Sequence, residues 1–336
     1  MAIEGIGVVA IGRNEGERLK GCLHALRAQL SEQTPIIYVD SGSTDDSVQV
    51  ARELGTGVIE LDQAQPFTAA RARNAGFQQL VAHFPKVEYV QFLDGDCELS
   101  MGWIQAAHSQ LEQDAQLAIV FGHREERFPK ASVYNQYTDL EWQMPAGEAS
   151  ACGGDALMRV SAIQAVNGYN SALICGEEPE MCIRLRRLGW KIQKLDQAMV
   201  IHDADMHRFA QWWKRAVRGG WAVAEGFAMY GQAPEQYMVH QYRSGWLWGI
   251  FIPAIALLAA LPTGGVSLLI LLGYPLLALR IYRYRRTSYK NSPAQALNYA
   301  FFCTLSKFAQ ATGQSKYWLT RWRNKTPLLI EYKASH

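Results

Sequence analysis

Short apolar runs alternate with segments of helical period along the first 94 residues of the chain. After the first run, for example, Leu19, Leu23, Leu26 and Leu30 recur at helical spacing. Strands that are apolar on both faces are typical of a mostly parallel sheet with helices on either side. The pattern therefore predicts an α/β fold, with strands at 6–11, 35–40, 57–61 and 87–94 and helices at 15–30, 45–54 and 68–82.

The composition becomes more apolar after about residue 235. Two apolar arms, residues 245–262 and 264–281, flank a glycine-rich turn, and each has about 18 residues, the lower end of what crosses a bilayer. We therefore expect a first domain at 1–235 and an α-helical, membrane-associated region at 236–336, with an apolar hairpin at 245–281 in or across the membrane. A helical hairpin buried in a protein core is the alternative.

The charges divide unevenly along the chain, although the formal net charge is only +2. Up to Met206 there are 17 Lys and Arg against 28 Asp and Glu, and after it there are 16 against 3. An acidic part can hold metal and reactive carboxylates, whereas a basic part suits a nucleic acid or an anionic membrane face. Because the positive residues flank an apolar hairpin, we expect membrane lipid, and no nucleic acid, as a partner.

The cysteine pattern and the N-terminal sequence indicate the compartment. The six cysteines show no C-x-x-C pair and no zinc-type spacing, so we expect reduced, mostly buried thiols. The first residues lack the long apolar stretch of a signal peptide, since the run at 6–11 is only strand length. With basic flanks on both sides of the hairpin, this predicts a location at the cytoplasmic face of the cell membrane.

Two predicted strands end in aspartate, Asp40 and Asp94, at the edge where such sheets bind ligands. Asp40 precedes small polar residues, so its carboxylate could bind a base or ribose, or the segment could simply cap the next helix. Asp94-Gly95-Asp96 could bend around one divalent ion that also holds a diphosphate, or it could form an ordinary turn.

An acidic cluster opens a later predicted helix. Pro179 near the first helical position places Glu178 around the N-cap, with Glu177 and Glu180 beside it, although many helices carry an acidic first turn. His202 follows the apolar run 198–201 at another strand end. It could supply a neutral nitrogen to a metal site, or be an ordinary polar residue.

The order and spacing of these segments resemble the family 2 glycosyltransferases with the GT-A type fold, over about residues 5–205. The matching segments are Asp40, Ala72-Arg73-Asn74-Ala75-Gly76, Asp94-Gly95-Asp96, Cys152-Gly153-Gly154-Asp155 and Gly176-Glu177-Glu178-Pro179-Glu180.

The resemblance implies a role for each matched residue. Asp94 would hold the donor ribose, Asp96 a divalent ion (Mn²⁺ or Mg²⁺), and Asp40 the nucleotide base, with His202 as the further candidate metal ligand. The family's Glu-Asp pair corresponds to Glu177 and Glu178, and the base would be Glu178. The candidate donor-binding residues are Ile11, Arg13, Glu15, Asp40, Arg73, Asn74, Asp94 and Asp155.

The sequence departs from the family pattern at three places, and each departure changes one of these expectations. Glu178 stands where Asp is usual, which leaves Glu177 as an alternative base. The stretch at 11–15 lacks the family's Pro-Thr-Tyr-Asn, so the donor nucleotide is not assigned. Trp318, and not Gln, precedes Arg321-Trp322, so the Gln-X-X-Arg-Trp element of processive synthases is absent and single transfers are favoured.

The expected activity is inverting, metal-dependent transfer of a sugar from a nucleoside-diphosphate sugar to a hydroxyl acceptor. The acceptor would be a saccharide or a lipid-linked saccharide in cell-envelope or exopolysaccharide assembly. A non-catalytic, membrane-bound sugar-nucleotide sensor or assembly subunit and a sugar nucleotidyltransferase are the alternatives. A nicotinamide dehydrogenase is disfavoured because no G-x-G-x-x-G follows the first strand.

Overall fold

The computed structural model describes residues 3–325. These form two units, one of residues 3–127 and 144–204, and one of residues 128–143 and 205–325. The units differ from the predicted domains, because the helix at 209–230 packs along a C-terminal helix in the second unit. The predicted boundary after residue 235 stays a prediction, and residues 1, 2 and 326–336 lie outside the described residues.

The first unit contains a sheet of nine strands. They are β1 (Ile6–Gly12), β2 (Ile36–Asp40), β3 (Gly57–Glu60), β4 (Tyr89–Asp94), β5 (Cys97–Leu99), β6 (Leu117–Glu126), β7 (Gly147–Glu148), β8 (Ala156–Arg159) and β9 (Lys191–His202). The order is β3-β2-β1-β4-β8-β6-β9-β5, and β7 pairs with β9. The first four strands pair in parallel, β8 joins β4 to β6 in antiparallel fashion, and β6 pairs in parallel with β9.

Helices cover this sheet as the sequence predicts. They are α1 (Glu17–Arg27), α2 (Ser47–Glu53), α3 (Ala69–His83), α4 (Trp103–Gln113), α6 (Val160–Ala165) and α7 (Glu177–Arg187), while α5 (Val133–Glu141) belongs to the second unit. Every predicted strand and helix up to Asp94 is confirmed, each end lying within three residues of its predicted place. The helix ends have local causes: α3, for example, begins after Thr68, whose hydroxyl accepts a hydrogen bond from the Arg71 N–H.

The core of the first unit lies between the sheet and its helices. β2 is buried along its whole length and β1 along all but its last residue, because helices pack on both faces. Gly76 lets α3 approach closely, since a Cβ there would lie 2.4 Å from Cγ1 of Val9. In β1, β2 and β4 charged side chains are therefore confined to the strand ends, which is where the site forms.

The second unit is helical. Its remaining helices are α8 (Phe209–Tyr230), α9 (Val239–Trp246), α10 (Ile252–Leu258), α11 (Gly273–Ser288) and α12 (Pro293–Trp322). A π-helical turn, Leu247–Phe251, joins α9 to α10, and a 3-10 helix, Val266–Leu272, leads into α11. Gly220 and Gly313 allow α8 and α12 to pack closely, because a Cβ at either would lie within 2.2 Å of the other helix's backbone oxygens.

The predicted apolar hairpin is present as two helical arms, although π and 3-10 segments interrupt both. Among the described residues, one helix, Val266–Ser288, is long and apolar enough to cross a membrane, and none of its apolar window is buried. The alternative of a hairpin buried in a protein core is therefore wrong for this arm. One predicted flanking cation has a structural role: Arg285 is buried and donates to Oδ1 of Asn291 at 2.7 Å and to the Leu140 carbonyl at 3.0 Å.

Candidate active site

Asp40 and Asp94 lie on one edge of the sheet, on either side of β1. Gly12 at the end of β1 pairs with Asp40, and Ile11 pairs with Asp94. A backbone hydrogen bond holds the turn after β4 against the end of β1, since the Gly95 N–H donates to the Ile11 carbonyl at 2.7 Å. The carboxyl ends of three parallel strands thus bring the predicted strand-end carboxylates together.

Asp40 is engaged by its own loop. Its Oδ2 accepts hydrogen bonds from the backbone N–H groups of Gly42 and Ser43 at 2.9 and 2.8 Å. Its Oδ1 accepts from the Tyr38 hydroxyl at 3.2 Å and from the Ser43 hydroxyl. A carboxylate offers about four acceptor positions, so these bonds use them all. Asp40 therefore shapes the loop after β2, and its role at the nucleotide base stays a prediction.

The three candidates at the end of β1 and in the loop after it differ in accessibility. Ile11 is buried in the sheet, and Glu15 pairs with an arginine at the start of α1 at 3.1 Å. Arg13 is exposed, and its guanidinium lies over the ring of Phe67 at 5.6 Å. The same ring packs against Gly42 of the Asp40 loop, where a Cβ would lie 2.7 Å from it. Arg13 and Phe67 thus border this loop, and Phe67 is a residue that the sequence reasoning missed.

Arg73 on α3 joins three carboxylates. Its Nη2 lies 2.8 Å from Oδ1 of Asp94, and its Nη1 lies 2.9 Å from Glu177 and 2.8 Å from Glu178. Gly154 makes room for it, since a Cβ there would lie 2.2 Å from Nη2. The guanidinium is buried, so Arg73 fixes the end of β4 relative to the start of α7.

Helix α7 begins earlier than the sequence suggests. Its N-cap is Gly176, with φ of 80°, and Glu177 is the first helical residue, so Pro179 occupies the third position and not the first. Proline is tolerated there because the N–H groups of the first turn have no partner within the helix. Glu178 therefore lies inside the first turn, where its side chain reaches Arg73.

The two glutamates of this turn are not equivalent. The Glu178 side chain is 14% exposed and that of Glu177 only 4%, so Glu178 is the more accessible carboxylate. Burial, and next the repulsion from Glu177, raise the pKa of Glu178 to about 7, although the Arg73 guanidinium acts in the opposite direction. A carboxylate with this pKa is a stronger base than an ordinary glutamate and is still half ionised near neutral pH.

Asp155 supports Asp94 from the other side. Its Oδ1 accepts a hydrogen bond from the Asp94 N–H at 2.9 Å, and its Oδ2 lies 3.1 Å from Nη2 of Arg124. The same guanidinium nitrogen lies 3.0 Å from Oδ2 of Asp94. Burial raises the pKa of the Asp155 carboxyl, while Arg124 opposes that rise. The sequence reasoning missed Arg124; the charged run 123–126 at the end of β6 is the signal that marks it.

Asp96 and His202 form the candidate metal centre. The register pairs Cys97 with His202, and this brings Nε2 of His202 to 3.2 Å from Oδ2 of Asp96. Burial, and next Arg124, lower the pKa of His202, so the imidazole is neutral and can donate a lone pair to a metal. Oε2 of Glu126 lies 3.6 Å from the other ring nitrogen, the type of partner that orients a metal-binding histidine. A carboxylate with a neutral imidazole fits a divalent ion such as Mn²⁺.

The neighbouring groups fit a metal less well. Cys97 lies close enough to join Asp96 and His202, but burial raises the pKa of its thiol, which disfavours the thiolate that metals require. Asp94, Asp155 and Cys97 form a second cluster, yet Arg124 already supplies a positive charge to both carboxylates there. The chemistry of the donor set thus favours Asp96 and His202.

Asn74, another candidate donor-binding residue, has its amide engaged elsewhere. Its Nδ2 donates to the Tyr169 carbonyl at 2.7 Å, and its Oδ1 accepts from the Tyr169 N–H at 2.8 Å. These bonds tie α3 to the segment that leads into α7. Asn74 therefore supports the placement of Arg73 and Glu178, and donor binding by Asn74 stays a prediction.

Comparison with known proteins adds independent information. Residues 8–166 match the family model described as Glycosyl transferase family 2. Glycosyltransferase AglE of Haloferax volcanii is 22% identical over 209 residues, which cover 59% of this chain and 67% of that protein. The succinoglycan biosynthesis protein ExoA of Rhizobium meliloti is 25% identical over 203 residues, which cover 56% of this chain and 60% of that protein.

A solved structure shares the fold. The mannosyltransferase PcManGT from Pyrobaculum calidifontis, in complex with GDP-Man and Mn²⁺, matches with a TM-score of 0.65 and 16% identity over 94% of this chain and 87% of that chain. The likeness shows an α/β fold of the GT-A type, as the sequence predicts. Residues 8–166 therefore form a domain that matches the family 2 glycosyltransferases, and together with these relatives this identifies the protein as a glycosyltransferase.

Proposed function

We propose that this enzyme is an inverting, metal-dependent glycosyltransferase that moves a sugar from a nucleoside-diphosphate sugar to a hydroxyl group. The observation that carries the proposal is the cluster in which Arg73 contacts both Asp94 and Glu178. One guanidinium thus connects the predicted ribose-binding carboxylate to the predicted base. A single base beside the donor site supports one displacement, which inverts the configuration at the anomeric carbon.

Glu178 supplies the acid–base chemistry in this proposal. A sugar hydroxyl is too weakly acidic to attack as an alkoxide near neutral pH, so a carboxylate within hydrogen-bond reach takes its proton during the displacement. The raised pKa and partial exposure of Glu178 suit this role. Glu177 is less exposed and shares the Nη1 atom of Arg73, which makes it a partner that tunes Glu178.

Asp96 and His202 would hold the divalent ion, which supplies Lewis-acid stabilisation of the departing diphosphate when it is bound. Glu126 would hold the imidazole in place. Asp94, positioned by Asp155 and Arg124, would accept hydrogen bonds from the ribose. The mannosyltransferase of similar fold was solved with Mn²⁺, which supports the choice of ion.

The acceptor and the location are inferred from the second unit and from the relatives. We infer a saccharide or lipid-linked saccharide acceptor, because the exposed apolar hairpin favours a membrane and one relative is named for succinoglycan biosynthesis. The basic residues on both sides of the hairpin favour a cytoplasmic location for its ends. Envelope or exopolysaccharide assembly is the process that fits this combination.

A donor screen with the purified full-length chain tests the proposal. Nucleoside-diphosphate sugars are incubated with Mn²⁺ and with short saccharide or lipid-linked acceptors, and the release of the nucleoside diphosphate is measured. Proton NMR of the product should show the anomeric configuration opposite to that of the donor. Retained configuration would contradict the single displacement, and donor binding without transfer would favour a sensor. Release of pyrophosphate in a parallel incubation with a nucleoside triphosphate and a sugar 1-phosphate would indicate a nucleotidyltransferase.

A further inference from the structure

The hairpin between Arg243 and Arg280 exposes its apolar side chains. No charged residue occurs between these two arginines. The side chains close to its turn are among the most exposed apolar ones of the described residues, with Leu258 82% and Leu261 93% exposed. An apolar surface of this extent marks an interaction site.

The turn of the hairpin satisfies its own polar groups. The Ser267 hydroxyl donates to the Ala256 carbonyl on the other arm at 2.7 Å. The Thr263 hydroxyl donates to the Ala259 carbonyl at 2.6 Å and accepts from the Ser267 N–H at 3.1 Å. Hydrocarbon offers no water to such groups, so internal pairing is what entry into lipid requires.

The helix Val266–Ser288 is long enough to cross a membrane only when its last turns, which carry the arginines, are included, and the uncharged helical stretch of each arm is shorter than the hydrocarbon core. In the first arm the uncharged helical stretch 244–258 rises about 22 Å at about 1.5 Å per residue. In the second arm, the 3-10 helix at 266–272 and residues 273–279 of α11 rise about 25 Å together. The hydrocarbon core is about 30 Å thick. An apolar stretch of this length that is not buried in protein is typical of a re-entrant or interfacial segment.

The charges lie at one end of the hairpin only. Arg243, Arg280 and Arg283 are exposed at its open end, and no Asp or Glu occurs between Glu235 and Glu331. The turn at 261–266 carries no charged or aromatic residue that could anchor it at an opposite interface. Basic residues at the open end complement anionic lipid headgroups.

From these observations we propose that the hairpin is a re-entrant anchor in one leaflet of an anionic bilayer. Both arms enter from the side where Arg243 and Arg280 lie, and the turn stops inside the hydrocarbon. This deepens the membrane association proposed above and does not depend on the transfer reaction. The partner surface is thus a single lipid leaflet, and the enzyme has no segment on the far side of the membrane between residues 244 and 279.

Cysteine accessibility tests the topology. The full-length protein, with Cys303→Ala to remove the one partly exposed native thiol of the described residues, receives either Leu261→Cys at the turn or Ser288→Cys beyond the arginines. Each variant is reconstituted in vesicles of phosphatidylglycerol and phosphatidylcholine, with a membrane-impermeant maleimide outside or trapped inside. We expect Ser288→Cys to react from its own side and Leu261→Cys to react from neither side until detergent is added.

Other outcomes overturn the proposal in different ways. Reaction of Leu261→Cys from the side opposite to Ser288→Cys would show that the hairpin spans the membrane. Reaction of both from the same side would show that the hairpin stays outside the lipid, and a dimer on sizing would then identify a second copy as the partner. Because no sugar donor is used, none of these outcomes tests the glycosyltransferase activity.

Vesicle co-sedimentation tests the lipid charge. Arg280→Gln and Arg283→Gln should each weaken binding to phosphatidylglycerol-containing vesicles about fivefold and leave binding to pure phosphatidylcholine unchanged. Arg52→Gln, an exposed residue of the first unit, is the control and should change neither. Unchanged affinity of both hairpin variants for the anionic vesicles would contradict recognition of an anionic leaflet.

Discussion

Replacing Glu178 by glutamine should remove the acid limb of the pH–rate profile. Burial, and next repulsion from Glu177, raise the pKa of Glu178 to about 7. The ionised fraction then grows from about 9% at pH 6 to about 91% at pH 8, so kcat/KM of the natural enzyme should rise about tenfold between these two pH values. Glutamine cannot accept the proton, so Glu178→Gln should lose about 100- to 10,000-fold in turnover, or about 3 to 5 kcal/mol.

Glu177→Gln is the matched control, because both glutamates contact Nη1 of Arg73. Removing the neighbouring negative charge lowers the pKa of Glu178, so the acid limb should move below pH 7 while turnover stays within about tenfold of normal. The assay is nucleoside-diphosphate release from about pH 5.5 to about pH 9 with excess Mn²⁺. Calorimetric donor affinity at neutral pH shows that each variant still binds the donor.

Two results would refute this reasoning. If Glu178→Gln kept the acid limb and near-normal turnover, Glu178 would not be the base. If Glu177→Gln lost turnover while Glu178→Gln retained it, the base would be Glu177, and the difference in exposure between the two side chains would have misled the assignment.

Three further predictions concern the metal, the packing of the site and its stability. Asp96→Asn should weaken Mn²⁺-dependent donor binding at least about tenfold by calorimetry, whereas Asp62→Asn, an exposed loop residue, should leave it unchanged. Gly154→Ala places a methyl group 2.2 Å from Nη2 of the buried Arg73 and should reduce kcat by about 100-fold. Gly153→Ala is the control: its methyl group would have no neighbouring atom within 4 Å, so kcat should not change. The pKa of Glu178 rises from 4.5 to about 7 on folding. The protonated carboxyl therefore makes its full contribution to the free energy of unfolding below pH 4.5, and this contribution is lost as the pH rises through about 7. The loss amounts to about 3 kcal/mol, so thermal unfolding of Glu178→Gln should depend less on pH between about 5 and about 8 than that of the natural protein.

The alternating elements of the first unit could be predicted because their signals are local. β1 and β2 are short apolar runs, and α3 shows its cap in Thr68 and its packing in apolar residues at helical spacing. The strand-end positions of Asp40 and Asp94 follow from the same pattern, since parallel strands end at a common edge. Sequence alone was therefore sufficient for the fold class and for one edge of the site.

The partners of these carboxylates could not be predicted, because they depend on register between distant segments. Arg124 reaches Asp94 only because β6 and β4 both pair with β8, and Arg73 reaches Glu178 only because Asn74 ties α3 to the segment before α7. Asp40 is a similar case: whether its oxygens face a ligand or its own loop depends on backbone geometry.

The charge balance at this edge supports the proposal that a divalent ion takes part in donor binding. The acidic side chains that converge there are Asp94, Asp96, Glu126, Asp155, Glu177 and Glu178, and the cations are Arg73 and Arg124. At pH 8, with His202 neutral, acidic side chains outnumber cationic ones by four, and a nucleoside diphosphate brings further negative charge. Two like charges about 4 Å apart repel by about 4 kcal/mol at an effective dielectric constant of about 20, so one uncompensated contact costs several hundredfold in affinity. We therefore expect a chelator to abolish calorimetric donor binding as well as turnover; donor affinity that survives chelation while turnover is lost would contradict this electrostatic argument.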